Sequence, residues 1–219
     1  MSEEPEAYKI GWVPFIHTKI WLDSRPLIPR TETEFWVNEV ITKLRSSEAK
    51  KLSILDLCAG SGAIGVAVLK EIPEAKVDFI EKEVRHHATI EKNIKENEID
   101  TNRARVFGGD LLENANGPYD VILSNPPYID PKKLERVQDS VIEHEPREAL
   151  MGGNAGIEII KRILTDAPKH LASPGILYIE HEPEQAEEIN KTVQSLLYSS
   201  YKSLPDQFGV IRYSRLVRE

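Results

Sequence analysis

Residues 53–65 read SILDLCAGSGAIG, and this stretch decides the fold. The apolar run at 53–57 predicts a buried strand, Gly60 and Gly62 predict a tight loop, and the apolar residues that follow predict a helix. Because glycine has no Cβ, the loop lets a ligand lie close to the backbone, and the start of the helix offers unpaired amide groups. Open α/β sheets bind ligands at the end of such a strand, so we expect a binding site here.

Outward from this stretch, short apolar runs alternate with longer amphipathic ones. Strands are predicted at 53–57, 77–80, 104–107, 121–124 and 176–179, and helices at 63–70, 85–97, 157–171 and 185–197. A last pair of runs at 201–204 and 210–217 predicts an antiparallel hairpin. Apolar strands between helices indicate a mostly parallel sheet covered on both faces. We therefore predict a doubly wound, Rossmann-like α/β fold with a seven-stranded sheet and a terminal antiparallel hairpin.

The first residues form a separate, shorter pattern. Two aromatic and β-branched pieces at 12–16 and 19–22 predict a hairpin, and a helix is predicted at 31–44. Thr31 and Glu34 have the spacing of a capping box at the start of that helix. We expect residues 1–49 to be an N-terminal hairpin and helix extension, and residues 50–219 to be the main domain.

Composition excludes several classes of protein. The 219 residues carry 28 Lys and Arg against 36 Asp and Glu, a net charge of −8 that disfavours a nucleic-acid partner. The single cysteine, Cys58, allows neither an intrachain disulfide nor a cysteine-built zinc site, and no histidine pair has metal-ligand spacing. The apolar run at 62–69 falls far short of the ~20 residues of a membrane span. We expect a cytoplasmic monomer without a metal or a membrane partner.

Two acidic residues accompany the glycine loop. Asp56 lies inside an apolar strand, where a carboxylate without a partner would be costly. Glu81 ends the second strand, 19 residues after Gly62, where an acid can bind ribose hydroxyls. Residues 60–65 also fit the G-x-G-x-x-G string of a dinucleotide site. The loop by itself therefore leaves two cofactors open, a dinucleotide and S-adenosylmethionine.

The four residues Asn125, Pro126, Pro127 and Tyr128 follow the fourth strand of this domain. The prolines fix φ and remove two amide donors, so the segment is stiff. The Asn125 amide oxygen and the Pro126 carbonyl can then accept hydrogen bonds from one planar NH2 group, against which Tyr128 can stack. This pattern is typical of enzymes that methylate adenine N6, cytosine N4 or glutamine N5. Alignment of the attacking nitrogen with the methyl group and the sulfur of S-adenosylmethionine can lower the reaction barrier by up to ~7–11 kcal/mol. We expect no general base.

Four segments together resemble the release-factor glutamine methyltransferases of the PrmC/HemK type. They are LIPRTETE at 27–34, DLCAGSG at 56–62, YDVILSNPPYI at 119–129 and EPREALMGG at 145–153 with Gly156. The resemblance extends from about Gly11 to the carboxyl terminus. It implies a class I methyltransferase domain at 50–219 that transfers a methyl group from S-adenosylmethionine to the N5 nitrogen of glutamine. The substrate would be the Gly-Gly-Gln motif of a peptide chain release factor.

The resemblance also implies roles for individual residues. Cofactor contacts are expected from Asp56, Cys58, Ala59, Gly60, Ser61, Gly62, Glu81, Asp110, Leu111 and Asn125. Substrate binding and catalysis are expected from Asn125, Pro126, Pro127 and Tyr128. Arg30 and Glu34 are expected as wall residues near the cofactor. For residues 145–147, a purely structural role as a loop held by an internal ion pair is as well supported as a role in the site.

The sequence departs from the family pattern at three places. Cys58 replaces a glycine, Thr31 replaces a proline, and residues 180–185 differ from the usual glutamate-glycine segment. The small helical substrate-binding domain of the family is expected to be absent. Three alternatives stay open: methylation of a glutamine in a large-subunit ribosomal protein, methylation of an amino group on a nucleic-acid base, and a non-catalytic scaffold. The 27–34 segment favours the release factor.

Overall fold

The computed structural model describes residues 2–46 and 51–219. The N-terminal part contains a short helix, a two-stranded hairpin and a longer helix: α1 (Glu6–Ile10), β1 (Trp12–Phe15), β2 (Thr18–Trp21) and α2 (Thr31–Arg45). The remainder alternates strands and helices: β3 (Ser53–Leu57), α3 (Ala63–Glu71), β4 (Lys76–Ile80), α4 (His87–Glu96), β5 (Ala104–Phe107), β6 (Tyr119–Ser124), α5 (Asp139–His144), α6 (Glu158–His170), β7 (Leu171–Glu180), α7 (Ala186–Val193), β8 (Ser200–Pro205) and β9 (Ile211–Arg218).

The main sheet has seven strands in the order β5-β4-β3-β6-β7-β9-β8. Strands β3 to β7 run parallel, whereas β9 is antiparallel to both β7 and β8. The doubly wound, mostly parallel fold with a terminal hairpin is therefore confirmed. The strand order reverses between β3 and β6, and this switch opens a crevice at the carboxyl edge of the sheet.

The register of the central strands aligns their ends. Leu57 lies opposite both Ile80 and Ser124, and Ser124 lies opposite Ile179. The residues that come next lie side by side at the carboxyl edge of the sheet: Cys58, Glu81, Asn125 and Glu180, the last of which still pairs with Tyr213 of β9. The glycine loop and the Asn125–Tyr128 segment thus start from directly neighbouring strand ends.

Two apolar layers cover the sheet. On one face, α2 and α3 bury a cluster that includes Trp36, Val40, Val66, Phe79 and Leu123. On the other, α6 and α7 bury a cluster that includes Leu57, Ile122, Ile160, Leu164 and Ile189. Phe15 and Ile20 of the N-terminal hairpin belong to the first cluster, so the hairpin is part of the same packing. Across residues 2–46 and 51–219, no helix is long and apolar enough to span a bilayer.

Two local expectations differ from the structure. The capping box at Thr31 and Glu34 is wrong: the helix begins at Thr31, and its N-cap is Arg30 without a side-chain hydrogen bond. The Glu34 carboxylate instead accepts the amide of Ile16 in the hairpin turn. In addition, α1 was not predicted, since its five residues are too short to show a helical period and it ends at Gly11, whose φ is +87°.

Two asparagines, Asn93 in α4 and Asn97 directly after it, connect the hairpin to the main domain. Asn93 accepts the Trp21 amide at 2.7 Å and donates to the Trp21 carbonyl at 3.0 Å. Asn97 makes the same pair of bonds to the amide and carbonyl of Lys19, at 3.0 and 2.9 Å. Asn93 also donates to the carbonyl of Ser61 at 2.8 Å. A fully buried side-chain amide therefore joins the hairpin to the glycine loop.

We predict that Asn93→Leu, which keeps the size of the side chain, lowers the free energy of unfolding by about 3 kcal/mol. The change leaves buried backbone groups of Trp21 and Ser61 without partners. Chemical denaturation of the wild type and the variant measures this. Asn190→Leu, the same change at an exposed position of α7, is the control and should cost much less. Equal losses in the two variants would contradict the prediction.

Candidate active site

The glycine loop opens onto a cavity of about 350 Å³, here called the glycine-loop cavity. Nine of the predicted site residues line it: Cys58, Ala59, Gly60, Ser61, Glu81, Asp110, Leu111, Asn125 and Pro127. Asp56 and Gly62 are not among its lining residues. Its volume lies within the range of small-ligand pockets, and its walls mix apolar groups with a few polar ones.

The loop owes its shape to a left-handed backbone. Cys58, Gly60 and Gly62 have φ values of +61°, +55° and +77°. A Cβ built on Gly60 would meet nothing within 4 Å, so this glycine leaves open space. A Cβ on Gly62 would lie 3.0 Å from Ile90, so that glycine serves the packing of α3 against α4. Of the two, Gly60 is the residue whose missing side chain leaves room for a ligand.

Glu81 is held in place by the loop that it faces. Its Oε2 accepts the Gly60 amide at 2.7 Å and its Oε1 accepts the Glu83 amide at 2.9 Å. Burial raises the pKa of this carboxyl group, and the two amide bonds oppose that rise. Because an ionised carboxylate can accept about four hydrogen bonds, both oxygens can still accept from a pair of ligand hydroxyl groups.

Asp56 lies beneath the loop rather than beside the cavity. The side chain is fully buried; its Oδ2 accepts the Gly65 amide at 2.9 Å, and among the described residues its Oδ1 has no partner. Burial raises the pKa of Asp56 to about 8. The geometry assigns this carboxyl group to the start of α3, so a direct cofactor contact by Asp56 stays a prediction that the contacts do not support.

Asp110 and Leu111 form the opposite wall of the glycine-loop cavity. The Asp110 carboxylate accepts Arg162 at 2.6 Å and lies 3.3 Å from Lys82, and the hydrogen bond with Arg162 lowers its pKa. Leu111 adopts a φ of +55° and adds an apolar contact surface. This wall can bind a flat, partly polar group.

A second cavity, of about 840 Å³, adjoins the first. Asn125, Pro126, Tyr128 and Arg30 line it, whereas Glu34 lines neither cavity. Three residues border both cavities: Leu27, Asn125 and Ala149. The Asn125 side chain therefore lies where a ligand in one cavity would face a ligand in the other.

Asn125 belongs to a hydrogen-bond network that the sequence analysis missed, and its members Thr33 and Glu180 line the glycine-loop cavity and the second cavity respectively. Asn125 Nδ2 donates to Thr33 Oγ1 at 3.1 Å, and Thr33 Oγ1 donates to Glu180 Oε2 at 2.7 Å. Trp36 Nε1 donates to the same oxygen at 2.7 Å, and the Tyr128 hydroxyl donates to Glu180 Oε1 at 2.9 Å. Burial raises the pKa values of Glu180 and Tyr128. The sequence does carry a signal for Glu180, because it is an acidic residue directly after the apolar run 176–179. The same signal identified Glu81.

The glycines after residue 150 support Tyr128 through close backbone packing. A Cβ on Gly156 would lie 2.1 Å from the Tyr128 carbonyl oxygen, and one on Gly152 would lie 2.7 Å from the Tyr128 Cα. Gln185 Nε2 donates to that same Tyr128 oxygen at 2.9 Å. No side chain fits between these chains, so glycine at these positions lets the two segments touch.

Sequence analysis considered an ion pair internal to the 145–147 loop. Glu145 does form an ion pair, but its partner is Arg30. Its carboxylate is almost fully buried and accepts Arg30 Nη2 at 2.5 Å and the Ile28 amide at 2.9 Å. The pair fixes the segment before α2 against the segment after α5. Both segments contribute residues to the cavities, Leu27 from one and Ala149 from the other. Within the described ranges, no group of three or more His, Cys, Asp or Glu side chains is placed to hold a metal ion.

Comparison with known proteins gives consistent results. The family model described as a methyltransferase small domain matches residues 37–157. A release factor glutamine methyltransferase of Chlamydia trachomatis is 35% identical over 187 residues, which are 85% of this chain and 63% of that protein. The enzyme of the same name from Coxiella burnetii is 34% identical over 99% of this chain and 75% of its own length.

Two further matches are informative. A ribosomal protein uL3 glutamine methyltransferase of Francisella tularensis is 32% identical over 77% of this chain and 55% of that protein. Among solved structures, the T. thermophilus 16S rRNA N2 G1207 methyltransferase, determined with AdoMet and guanosine, superposes with a TM-score of 0.65 at 14% identity and covers 95% of this chain and 50% of its own. At that identity the structural match supports the fold alone.

We predict that Gly156→Ala destabilises the protein by about 1–3 kcal/mol more than Gly209→Ala, because overpacking is added to backbone strain. Both glycines have positive φ, +68° and +79°, but only Gly156 has no room for a Cβ. The control change at Gly209 should cost about 1 kcal/mol, the price of a left-handed non-glycine residue. Thermal unfolding of both variants measures the difference. Equal melting temperatures would contradict the packing argument.

Proposed function

The chain belongs to the release factor glutamine methyltransferase family, and we propose that it methylates the N5 nitrogen of a protein glutamine with S-adenosylmethionine. The proposed substrate is the Gly-Gly-Gln motif of a peptide chain release factor, in the cytoplasm. One observation carries the proposal: Asn125 borders both cavities, so it faces a donor on one side and an acceptor on the other.

The glycine-loop cavity suits S-adenosylmethionine. Its acid at the end of β4 can accept a ribose diol, and the space left open at Gly60 admits a ligand chain against the loop. The wall at Asp110 and Leu111 fits the adenine. We assign cofactor contacts to Cys58, Ala59, Gly60, Ser61, Glu81, Asp110, Leu111 and Asn125, and we place Asp56 and Gly62 behind them as supports of the loop.

The second cavity then receives the methyl acceptor. When bound, S-adenosylmethionine supplies a sulfonium methyl group, which a nitrogen lone pair attacks as the S–C bond breaks and the N–C bond forms. A carboxamide nitrogen is a poor nucleophile because its lone pair is delocalised. Asn125 Oδ1 and the Pro126 carbonyl would accept both hydrogens of the NH2 group, orient it toward the methyl group and favour localisation of the lone pair. The nitrogen releases one proton to solvent.

Tyr128 and the prolines complete this proposed acceptor site. Pro126 and Tyr128 line the second cavity and Pro127 lines the glycine-loop cavity, so the segment forms the partition between them. The Tyr128 ring can stack on the flat amide, and its hydroxyl is anchored on Glu180 at 2.9 Å. We propose that the chain acts as a monomer, with residues 50–219 forming the methyltransferase domain.

A second substrate is favoured by one specific match. The Francisella tularensis relative bears the name of a ribosomal protein uL3 glutamine methyltransferase. The chemistry at Asn125 would be the same, because both substrates present a glutamine amide. Parallel assays with a release factor and with uL3 distinguish the two.

For cofactor binding, we predict that Glu81→Gln weakens affinity for S-adenosylmethionine by about 1.5–3 kcal/mol, roughly 10- to 150-fold in Kd, because charged hydrogen bonds to the ribose are lost. Isothermal titration calorimetry measures the effect. Glu74→Gln, at an exposed position in the turn before β4, is the matched control and should bind as the wild type does. Unchanged affinity in Glu81→Gln would mean that the ribose binds elsewhere.

For methyl transfer, we predict that Asn125→Ala lowers kcat by at least about 100-fold, the scale of losing one positioned polar group at a reacting centre. Cofactor binding should remain measurable. The assay incubates the chain with S-adenosylmethionine and a bacterial release factor and follows the Gly-Gly-Gln peptide by mass spectrometry. The expected result is one added methyl on glutamine with the wild type, formed at least about 100-fold more slowly with Asn125→Ala. Full activity of the variant would refute the assigned role.

A further inference from the structure

The Glu180 carboxylate is a charged group at the site, and the proposed methyl transfer gives it no direct role. Glu180 is the last residue of β7, and its side chain is 1% exposed. Among the described residues no cation lies within ion-pair distance of it, and Arg212, which pairs with Glu182 and Asp206, acts on it only at longer range. A buried carboxylate without a cation is costly unless hydrogen bonds satisfy it. Thr33, Trp36 and Tyr128 supply three such bonds.

These bonds have fixed directions. An ionised carboxylate can only accept, and an indole N–H can only donate. Thr33 has one hydroxyl hydrogen, which it gives to Glu180 Oε2 at 2.7 Å. The Thr33 oxygen can therefore only accept from Asn125, and it accepts Nδ2 at 3.1 Å. The other end of the Asn125 amide, Oδ1, is then free of Thr33, and Asn125 is a residue that borders both cavities.

We infer that Glu180 and Thr33 are positioning residues that set the rotation of the Asn125 side-chain amide. The inference rests on the proposed function, in which Oδ1 accepts a hydrogen from the NH2 group of the methyl acceptor. In the opposite rotation, two NH2 groups would face each other and the acceptor would lose one hydrogen bond. The same arrangement opposes a carboxylate, because two carbonyl-type oxygens would then face its negative charge. A glutamine is accepted and a glutamate is rejected.

Thr33 and Trp36 offer a matched pair for testing this relay. Each donates to Glu180 Oε2 at the same distance, 2.7 Å, but only Thr33 also contacts Asn125. Trp36 lies in the core, stacked on Tyr213 with ring centroids 5.6 Å apart. Thr33→Val and Trp36→Phe each remove one hydrogen bond to Glu180. Only Thr33→Val also removes the contact with Asn125.

We expect Thr33→Val to lower kcat by about 100-fold, the scale of a misplaced reacting group, with little change in KM for either substrate. Thr33→Ser keeps the hydroxyl and should recover most of the rate. Trp36→Phe should be less stable yet retain most of kcat at a temperature where it is folded. Equal rates in Thr33→Val and Trp36→Phe, or failure of Thr33→Ser to recover the rate, would overturn the inference.

A second readout does not depend on the identity of the methyl acceptor. The side-chain NH2 signals of Asn125 can be observed in ¹⁵N NMR spectra and identified by their loss in Asn125→Asp. They should shift and exchange faster with water in Thr33→Val and in Glu180→Gln, but not in Trp36→Phe. Unchanged signals in the first two variants would refute the relay. If the signals shift in these two variants as expected but the wild type methylates no glutamine, the proposed function is refuted and the relay stands.

Discussion

The alignment of four strand ends is the constraint on which this site depends. Leu57, Ile80, Ser124 and Ile179 lie in one register across the sheet, so the residues after them lie together at its carboxyl edge. This register brings the glycine loop, the Glu81 carboxylate and the Asn125 amide to one crevice. A shift of a single residue in any pairing would turn these side chains toward the opposite face of the sheet. The apolar layers on both faces make such a shift costly.

Around this edge the chain buries three carboxyl groups and provides each with hydrogen-bond donors. Glu81 accepts hydrogen bonds from two nearby backbone amides, and Asp56 accepts one from the Gly65 amide. Glu180 accepts hydrogen bonds from three side chains. Burial raises the pKa of each, and the hydrogen bonds limit the cost of keeping charge there. The same contacts make the surrounding loops rigid, which suits a reaction whose barrier falls mainly through alignment.

Much of the architecture could be predicted from the sequence, because apolar runs and helical periods are local signals. The five parallel strands and the Asn125–Tyr128 segment belong to that class. Contacts between distant residues were not predictable in the same way. The Glu34 carboxylate caps no helix because Ile16, 18 residues earlier, takes it. The Thr33 hydroxyl bonds Glu180, 147 residues away, which no periodicity displays. The bond from the Gly65 amide to Asp56 is likewise absent from the pattern of the sequence, and the cofactor contact of Asp56 stays a prediction.

In the proposed reaction, the Asn125 amide oxygen accepts a hydrogen bond from the amide nitrogen that receives the methyl group. A crystal structure of this chain with S-adenosylhomocysteine and a peptide that contains Gly-Gly-Gln tests it most directly. We expect the glutamine nitrogen within hydrogen-bond distance of Asn125 Oδ1 and the Pro126 carbonyl, with Asn125 Nδ2 still bonded to Thr33. A glutamine side chain bound elsewhere, or an Asn125 amide rotated so that Nδ2 faces the peptide, would contradict it.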